Sequence, residues 1–127
     1  MLLDFNSEKP IYLQLAEAIE DDILKGIFEE EQQVLSTTEI SVNLRINPAT
    51  AGKGVNLLVD EGILYKKRGV GMFVGTGAKE KIIKKRKESF FNNYIQALLE
   101  EAEKLDITRE DIIKMIEGSK VNESDRS

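Results

Sequence analysis

The side chains with chemistry to offer in this sequence are cations, and they are gathered. Residues 45–87 carry eleven Lys and Arg against three acidic residues, a net of +8 inside a chain whose total is -5. Residues 1–44 carry a net of -8 and residues 88–127 a net of -5. A basic segment between acidic ones suits a protein that holds a polyanion on one face. Ammonium and guanidinium groups there neutralise phosphates and donate hydrogen bonds to base edges. A lone basic run is often only a solvated face, so the elements that present it have to decide. Other chemistries are poorly served. The chain has no His and no Cys, which removes the usual base near neutral pH, thiolate nucleophiles, disulfides and the commonest metal ligands. The carboxylates of Asp21, Asp22 and Glu29–Glu31 are sequence neighbours that point different ways, with no second group placed to shift their pKa values. No catalytic residue, metal site or cofactor is expected, and the chain is not read as an enzyme.

Its 127 residues fit one domain, or a small domain with an appendage. The opening Met1-Leu2-Leu3 meets Asp4 at once, too short for the core of a signal peptide. No apolar run approaches the ~20 residues that span a bilayer. A soluble cytoplasmic protein, away from membranes, is the expectation.

Apolar residues at Ile11, Leu15, Ala18, Ile19 and Ile23 follow Pro10 at steps of three and four, which predicts an amphipathic helix ended by Gly26. Ile27, Phe28 and Glu29–Glu31 read as a surface loop. Ser36-Thr37-Thr38-Glu39 is a capping box opening a short helix through Ile40 and Leu44. Arg45-Ile46 makes a turn, and Asn47-Pro48 starts a further helix with an N-cap residue and Pro at its first position. Val55, Leu58 and Val59 point that helix inward until Gly62. Two helices on so short a turn form a helix-turn-helix. Ile63–Lys67 and Met72–Val74 then read as two strands with Arg68-Gly69-Val70-Gly71 at the tip, a basic wing. Gly75-Thr76-Gly77 reads as a hinge. From Glu80 to Leu105 one long helix is expected, with Phe91, Ile95, Leu98, Ala102 and Leu105 at steps of four, three, four and three, the seam of a coiled coil. Phe90, Tyr94 and Leu99 widen that stripe. Thr108 and Asp111 cap a last helix with Ile112, Ile113 and Ile116 inward, stopped by Gly118. The fold expected is mainly α with a small β-hairpin: a winged helix-turn-helix over 1–77, a two-helix dimerisation arm over 78–118, and a disordered tail over 119–127.

These motifs, in this order, resemble the GntR family of bacterial transcriptional regulators. Pro10-Ile11-Tyr12-Leu13-Gln14 is similar to the family's opening helix signature. Ser36, Glu39 and Ile40 stand where the family keeps Ser, Glu and an apolar residue. Asn47-Pro48-Ala49-Thr50 opens the recognition helix as in many members, Leu58-x-x-Glu61-Gly62-Ile63-Leu64 closes it, and Lys67-Arg68-Gly69-x-Gly71-x-Phe73-Val74 is the wing pattern. The match covers residues 10–75. Metabolite-sensing members carry a much longer effector domain, whereas a two-helix tail resembles the short YtrA-type members, where it serves as the dimerisation arm. The resemblance implies a regulator that represses its own operon, often one encoding a transporter. Leu35 and Thr38 depart from a frequent Pro and Arg, Gly52 and Gly54 from Ser and Ala, and Val70 from a basic wing residue. Direct contacts are therefore expected to be fewer than is usual in the family, and each helical Gly to cost about 0.5–1 kcal/mol relative to Ala.

The DNA-binding residues expected are Ser36, Thr37 and Thr38 at the start of the first helix of the pair, Arg45 in the turn, and Asn47, Ala49, Thr50 and Lys53 on the second. Lys67, Arg68, Gly69 and Gly71 complete them in the wing. Asn47 and Pro48 equally serve to start a helix in any protein, and Ser36 is accounted for by its cap alone. The Lys81–Lys87 cluster fits flanking phosphates and acidic residues across a dimer equally well. The dimerisation residues expected are Phe90, Phe91, Tyr94, Ile95, Leu98, Leu99, Ala102, Leu105, Ile112, Ile113 and Ile116. A homodimer on an inverted-repeat operator in double-stranded DNA is the first reading, since one short helix reads too few bases to discriminate. A winged helix that binds protein through the acidic first third is the alternative. The residues leave open repression against activation, and whether a small-molecule effector exists.

Overall fold

The computed structural model describes residues 2–119. The chain forms two compact units that divide between Lys85 and Arg86. The first contains α1 (Ile11–Leu24), β1 (Gln33–Val34), α2 (Thr37–Leu44), α3 (Pro48–Asp60), β2 (Leu64–Lys67), β3 (Gly71–Val74) and the opening turns of α4 (Ala78–Phe90). Its core gathers Leu15 and Ile19 from α1, Ile40 from α2, Val55 and Leu58 from α3, Ile63, Leu64 and Val74 around the sheet, and Ile82 from α4. α1 and α3 cross so closely that a Cβ on Gly54 would lie 2.7 Å from the Tyr12 carbonyl and 3.1 Å from the Leu15 side chain. A residue that weakens a helix is here what lets the two helices meet.

The ends of α1, α2 and α3 share one device. After α1, Gly26 N–H donates to Ile23 O and Ile27 N–H to Asp22 O; after α3, Gly62 N–H donates to Val59 O and Ile63 N–H to Leu58 O. Both are Schellman closures, with glycine in the left-handed region at φ +80° and +76°. α2 closes the same way, through Arg45 N–H to Val42 O and Ile46 N–H to Ser41 O, but with Arg45 at φ +55° where glycine is usual.

The expected hairpin of β2 and β3 is present, with Lys67 opposite Gly71 and Leu64 opposite Val74. It is part of a three-stranded antiparallel sheet in the order β1-β3-β2. Gln33 and Val34, assigned to no element from the sequence, pair with Phe73 and Met72. The hinge expected at Gly75–Gly77 is a packed connection: Gly75 N–H donates to Ile63 O at 2.8 Å, and Ala78 just beyond is fully buried. Because Ala78 and Ile82 belong to the first core, the compact unit runs past the 77/78 boundary drawn from the sequence.

The second unit begins at Arg86 within α4 and continues through a π-helical turn (Phe91–Ile95), α5 (Gln96–Lys104) and α6 (Arg109–Glu117). The single long helix expected over 80–105 is thus interrupted. Gln96 N–H donates to Phe91 O, five residues back rather than four, so an extra residue enters one turn. Thr108 caps α6 with the expected box: Asp111 N–H donates to Thr108 Oγ1 at 3.1 Å and Thr108 N–H to Asp111 Oδ2 at 3.2 Å. Of the tail expected over 119–127, residues 120–127 lie outside the described residues. Among the described residues, no helix is long and apolar enough to cross a membrane.

Candidate nucleic-acid interface

The turn between α2 and α3 is rigid before any ligand is considered. Ser41 Oγ, buried, donates to Ile46 O at 2.7 Å, and Ile46 itself is buried at 8% exposure. Asn47 Oδ1 accepts from Ala49 N–H at 2.7 Å, which starts α3 on Pro48. At the start of α2, Ser36 Oγ accepts from Glu39 N–H and Glu39 Oε1 accepts from Ser36 N–H, both at 3.1 Å. Ser36 and Asn47 therefore spend their acceptor oxygens on caps. Thr38 and Arg45 are exposed, and Thr37 is half-buried.

α3 buries Ala51, Gly54, Val55 and Leu58 and turns the opposite side outward. A groove of 650 Å³ runs along that side, lined by Tyr12, Ala49, Gly52, Lys53, Asn56 and Asp60 among others. Ala49 and Lys53 lie in it as the sequence spacing requires, while Thr50 is half-buried beside it. A Cβ on Gly52 would meet nothing nearer than the Thr37 methyl at 3.9 Å, so the helix surface is bare there. Lys53 Nζ sits 4.1 Å from the centre of the Tyr12 ring, a cation–π contact worth about 0.5–1 kcal/mol at an exposed site. Tyr12 and Asn56 were not among the residues expected at the site. Asn56 continues the stripe of Ala49 and Lys53 at a further step of three, and Tyr12 comes from a different helix.

In the wing, Arg68, Gly69 and Val70 form the exposed tip, and Gln33 Nε2 from β1 donates to Val70 O at 3.1 Å. A side chain on Gly71 would collide with that same Gln33 amide. Lys67 Nζ lies 5.0 Å over the Phe73 ring, which stacks on Tyr65 at 5.7 Å, so Lys67 lies along the wing while Arg68 stands at its tip. At the base, Glu31 accepts from Tyr65 Oη and Thr76 Oγ1, both at 2.5 Å. The hydrogen bonds from Thr76 and then Tyr65 hold the Glu31 carboxyl below its ordinary range, and the same bond raises the Tyr65 phenol. One of three acidic residues read as loop is thus a tie between β2, the segment before β1 and the turn into α4. The basic cluster after the wing divides. Lys81 Nζ donates to Gly62 O at 3.2 Å, and Lys85 pairs with Glu20 and, at 3.0 Å, with Glu61. Burial pulls the Lys85 pKa down, but the bonds and charges of Glu20 and Glu61 outweigh it and hold the ammonium above its usual range. Lys79, Lys84 and Lys87 are exposed.

No protein-family model matches the chain. The solved structure of a GntR-family transcriptional regulator from Bacteroides thetaiotaomicron is 38% identical, with a TM-score of 0.68 over 84% of this chain and 92% of that one. The chain belongs to the GntR family of transcriptional regulators. Within it, the repressor YtrA of Bacillus subtilis is 27% identical over 127 residues, 95% of this chain and 98% of YtrA. The regulator YurK of the same bacterium is 33% identical over 73 residues, but this chain spans only 30% of YurK. BusR of S. agalactiae, solved on its promoter DNA, is 27% identical with a TM-score of 0.51 over 85% of this chain and 57% of that one. The protein is a short YtrA-type GntR regulator and not an enzyme, and the parts just described are the winged helix-turn-helix of that family.

In this GntR protein the second unit has its own geometry. Leu98, Ala102, Leu105, Ile112 and Ile116, all expected at a dimer face, line an apolar groove of 410 Å³ between α5 and α6, joined by Ile107 and Met115. Phe90, just before the π-helical turn, and Tyr94, within it, pack on each other at 5.4 Å. Phe91 and Ile113 are exposed, Ile95 and Leu99 half-buried. The wide turn over Phe91–Ile95 breaks the 3.5-residue repeat of a straight coiled-coil seam, so the expected seam is corrected to a face interrupted at that turn.

Proposed function

We propose that this protein is a homodimeric, sequence-specific DNA-binding regulator that acts as a repressor in the cytoplasm, with α3 in the major groove and the wing on the backbone or in the minor groove. The observation that carries the reading is the outward face of α3, where Ala49, the bare surface at Gly52 and the exposed Lys53 line one open groove beside the start of α2. Thr37, Thr38 and Arg45 supply contacts to phosphates flanking that helix, and Lys67, Arg68, Gly69 and Gly71 extend them along the wing. Ser36, Asn47 and Thr50 act at the edge of this set, the first two chiefly as caps. The BusR–promoter complex supports the same use of a related fold on duplex DNA.

A single α3 reads too few base pairs to pick one site from a genome. A two-fold dimer places two recognition helices on half-sites about 34–36 Å apart. The exposed apolar side chains of the second unit provide the face for that pairing: Phe90, Phe91, Tyr94, Leu98, Leu105, Ile113 and Ile116, with the more buried Ile95, Leu99, Ala102 and Ile112 behind them. Self-regulation, including of a transporter operon, follows from the YtrA-type resemblance. The test is titration of a duplex from upstream of the protein's own gene against a scrambled duplex at physiological salt. Binding tighter by about 10³-fold or more to the upstream duplex supports the reading, whereas equal affinities for the two contradict it.

A further inference from the structure

α3 carries a side chain that the cap, the core and the turn leave unused. Asn56 is exposed on the groove face, and its carboxamide makes no hydrogen bond to any described residue. It stands seven residues after Ala49 and three after Lys53 on the same stripe. At 1.5 Å of rise per residue the stripe from Ala49 to Asn56 advances about 10 Å, close to the span of three stacked base pairs at 3.4 Å each. Position 52, which would lie between Ala49 and Asn56, is glycine and has no side chain to hold the duplex away. One turn beyond Asn56 stands Asp60, whose carboxylate faces the same groove and repels phosphates. The readable part of the helix therefore runs from Ala49 to Asn56 and ends there.

The three side chains differ in what they recognise. Ala49 offers a methyl, which suits a thymine methyl. Lys53 is a point charge over the Tyr12 ring and takes guanine or phosphate without fine angular demands. Asn56 alone offers a donor and an acceptor side by side, the pair that matches the N6 and N7 edge of adenine. We propose that Asn56 is the main base-discriminating residue of the recognition helix and selects an adenine at one fixed position of each half-site. This rests on the DNA-binding reading above.

The experiment is selection from a random duplex pool with the wild-type protein and with Asn56→Ala, sequencing what each retains, with circular dichroism and thermal unfolding to establish that the variant folds. Asn56 faces solvent, so the melting temperature should be unchanged. The expected result is an inverted repeat for the wild type with one adenine per half-site that the variant no longer selects, all other positions being kept. Affinity of the variant for the wild-type consensus should fall by about 5- to 150-fold. An Asn56→Ala motif that keeps the same adenine overturns the inference while leaving the DNA-binding reading intact. A wild-type protein that enriches no motif overturns both.

Discussion

The two units of this protein bury their apolar side chains very differently. The first closes fifteen of them into one core, while among the described residues of the second only Ala102 is buried. The second leaves Phe90, Phe91, Tyr94, Leu98, Leu105, Ile113, Met115 and Ile116 at 42–64% exposure. Burying a large apolar side chain stabilises by about 1.5–3 kcal/mol, so eight left in water is a large unspent driving force. The first unit has a closed core of its own. The second leaves an apolar face open, which the proposed second copy would cover. On the proposed function, affinity and specificity are thereby separated: the first unit would determine which bases are read, and the second whether two copies read them together.

The sharpest way to break this contrast is Phe91→Asp, which places a charge on that apolar face. Sedimentation should show monomers, and operator affinity should fall by about 10²–10⁴-fold, because two linked half-sites become two independent ones. Unfolding of the first unit should be unchanged. A Phe91→Asp protein that stays dimeric removes that face from the interface. Next in size, Lys53→Glu and Arg68→Glu should each weaken operator binding by about 10- to 100-fold, and loss of one phosphate contact should make the salt dependence of log K shallower by about one. Both should remain dimers; the melting temperature should be unchanged for Arg68→Glu and slightly lower for Lys53→Glu, which loses its contact with the Tyr12 ring. On the first unit alone, Gly54→Ala drives a methyl into the Tyr12 carbonyl and the Leu15 side chain. It should cost about 1–3 kcal/mol, read in thermal unfolding, without altering dimerisation. The smallest effect is expected from Arg45→Gly. It relieves a left-handed residue worth about 1–2 kcal/mol of strain, partly offset by glycine's greater freedom when unfolded, while removing a cation. Stability should hold or rise by up to about 1 kcal/mol as DNA affinity falls; unchanged affinity would take Arg45 out of the interface.

Much of the first unit was legible in the sequence because its signals are local. The capping box at Ser36, the Asn47-Pro48 start, and Gly26 and Gly62 as helix ends depend on neighbours within a few residues, and each forms as expected. What escaped depends on distant partners. Gln33 and Val34 make a strand of two residues that exists only because β3 accepts it. Glu31 looked like one of three solvated acids until Tyr65 and Thr76 met its carboxylate. Gly54 looked like a weak helix former because its reason lies on α1. In the second unit, apolar spacing at steps of four and three fits an unbroken helix and a π-helical turn alike, since the turn is defined by a hydrogen bond that spacing does not specify. Asn56 carried a usable signal, continuing the Ala49–Lys53 stripe by three, yet only the groove on α3 separates it from an ordinary surface residue.

The central claim, two chains joined by the second unit and reading one duplex together, is tested most directly by the mass of the protein–DNA complex. Sedimentation equilibrium on a duplex carrying the selected site, across a range of protein concentrations, should give two chains per duplex with no populated one-chain complex. A stable complex of one chain per duplex, with the affinity of the full site, would contradict the account.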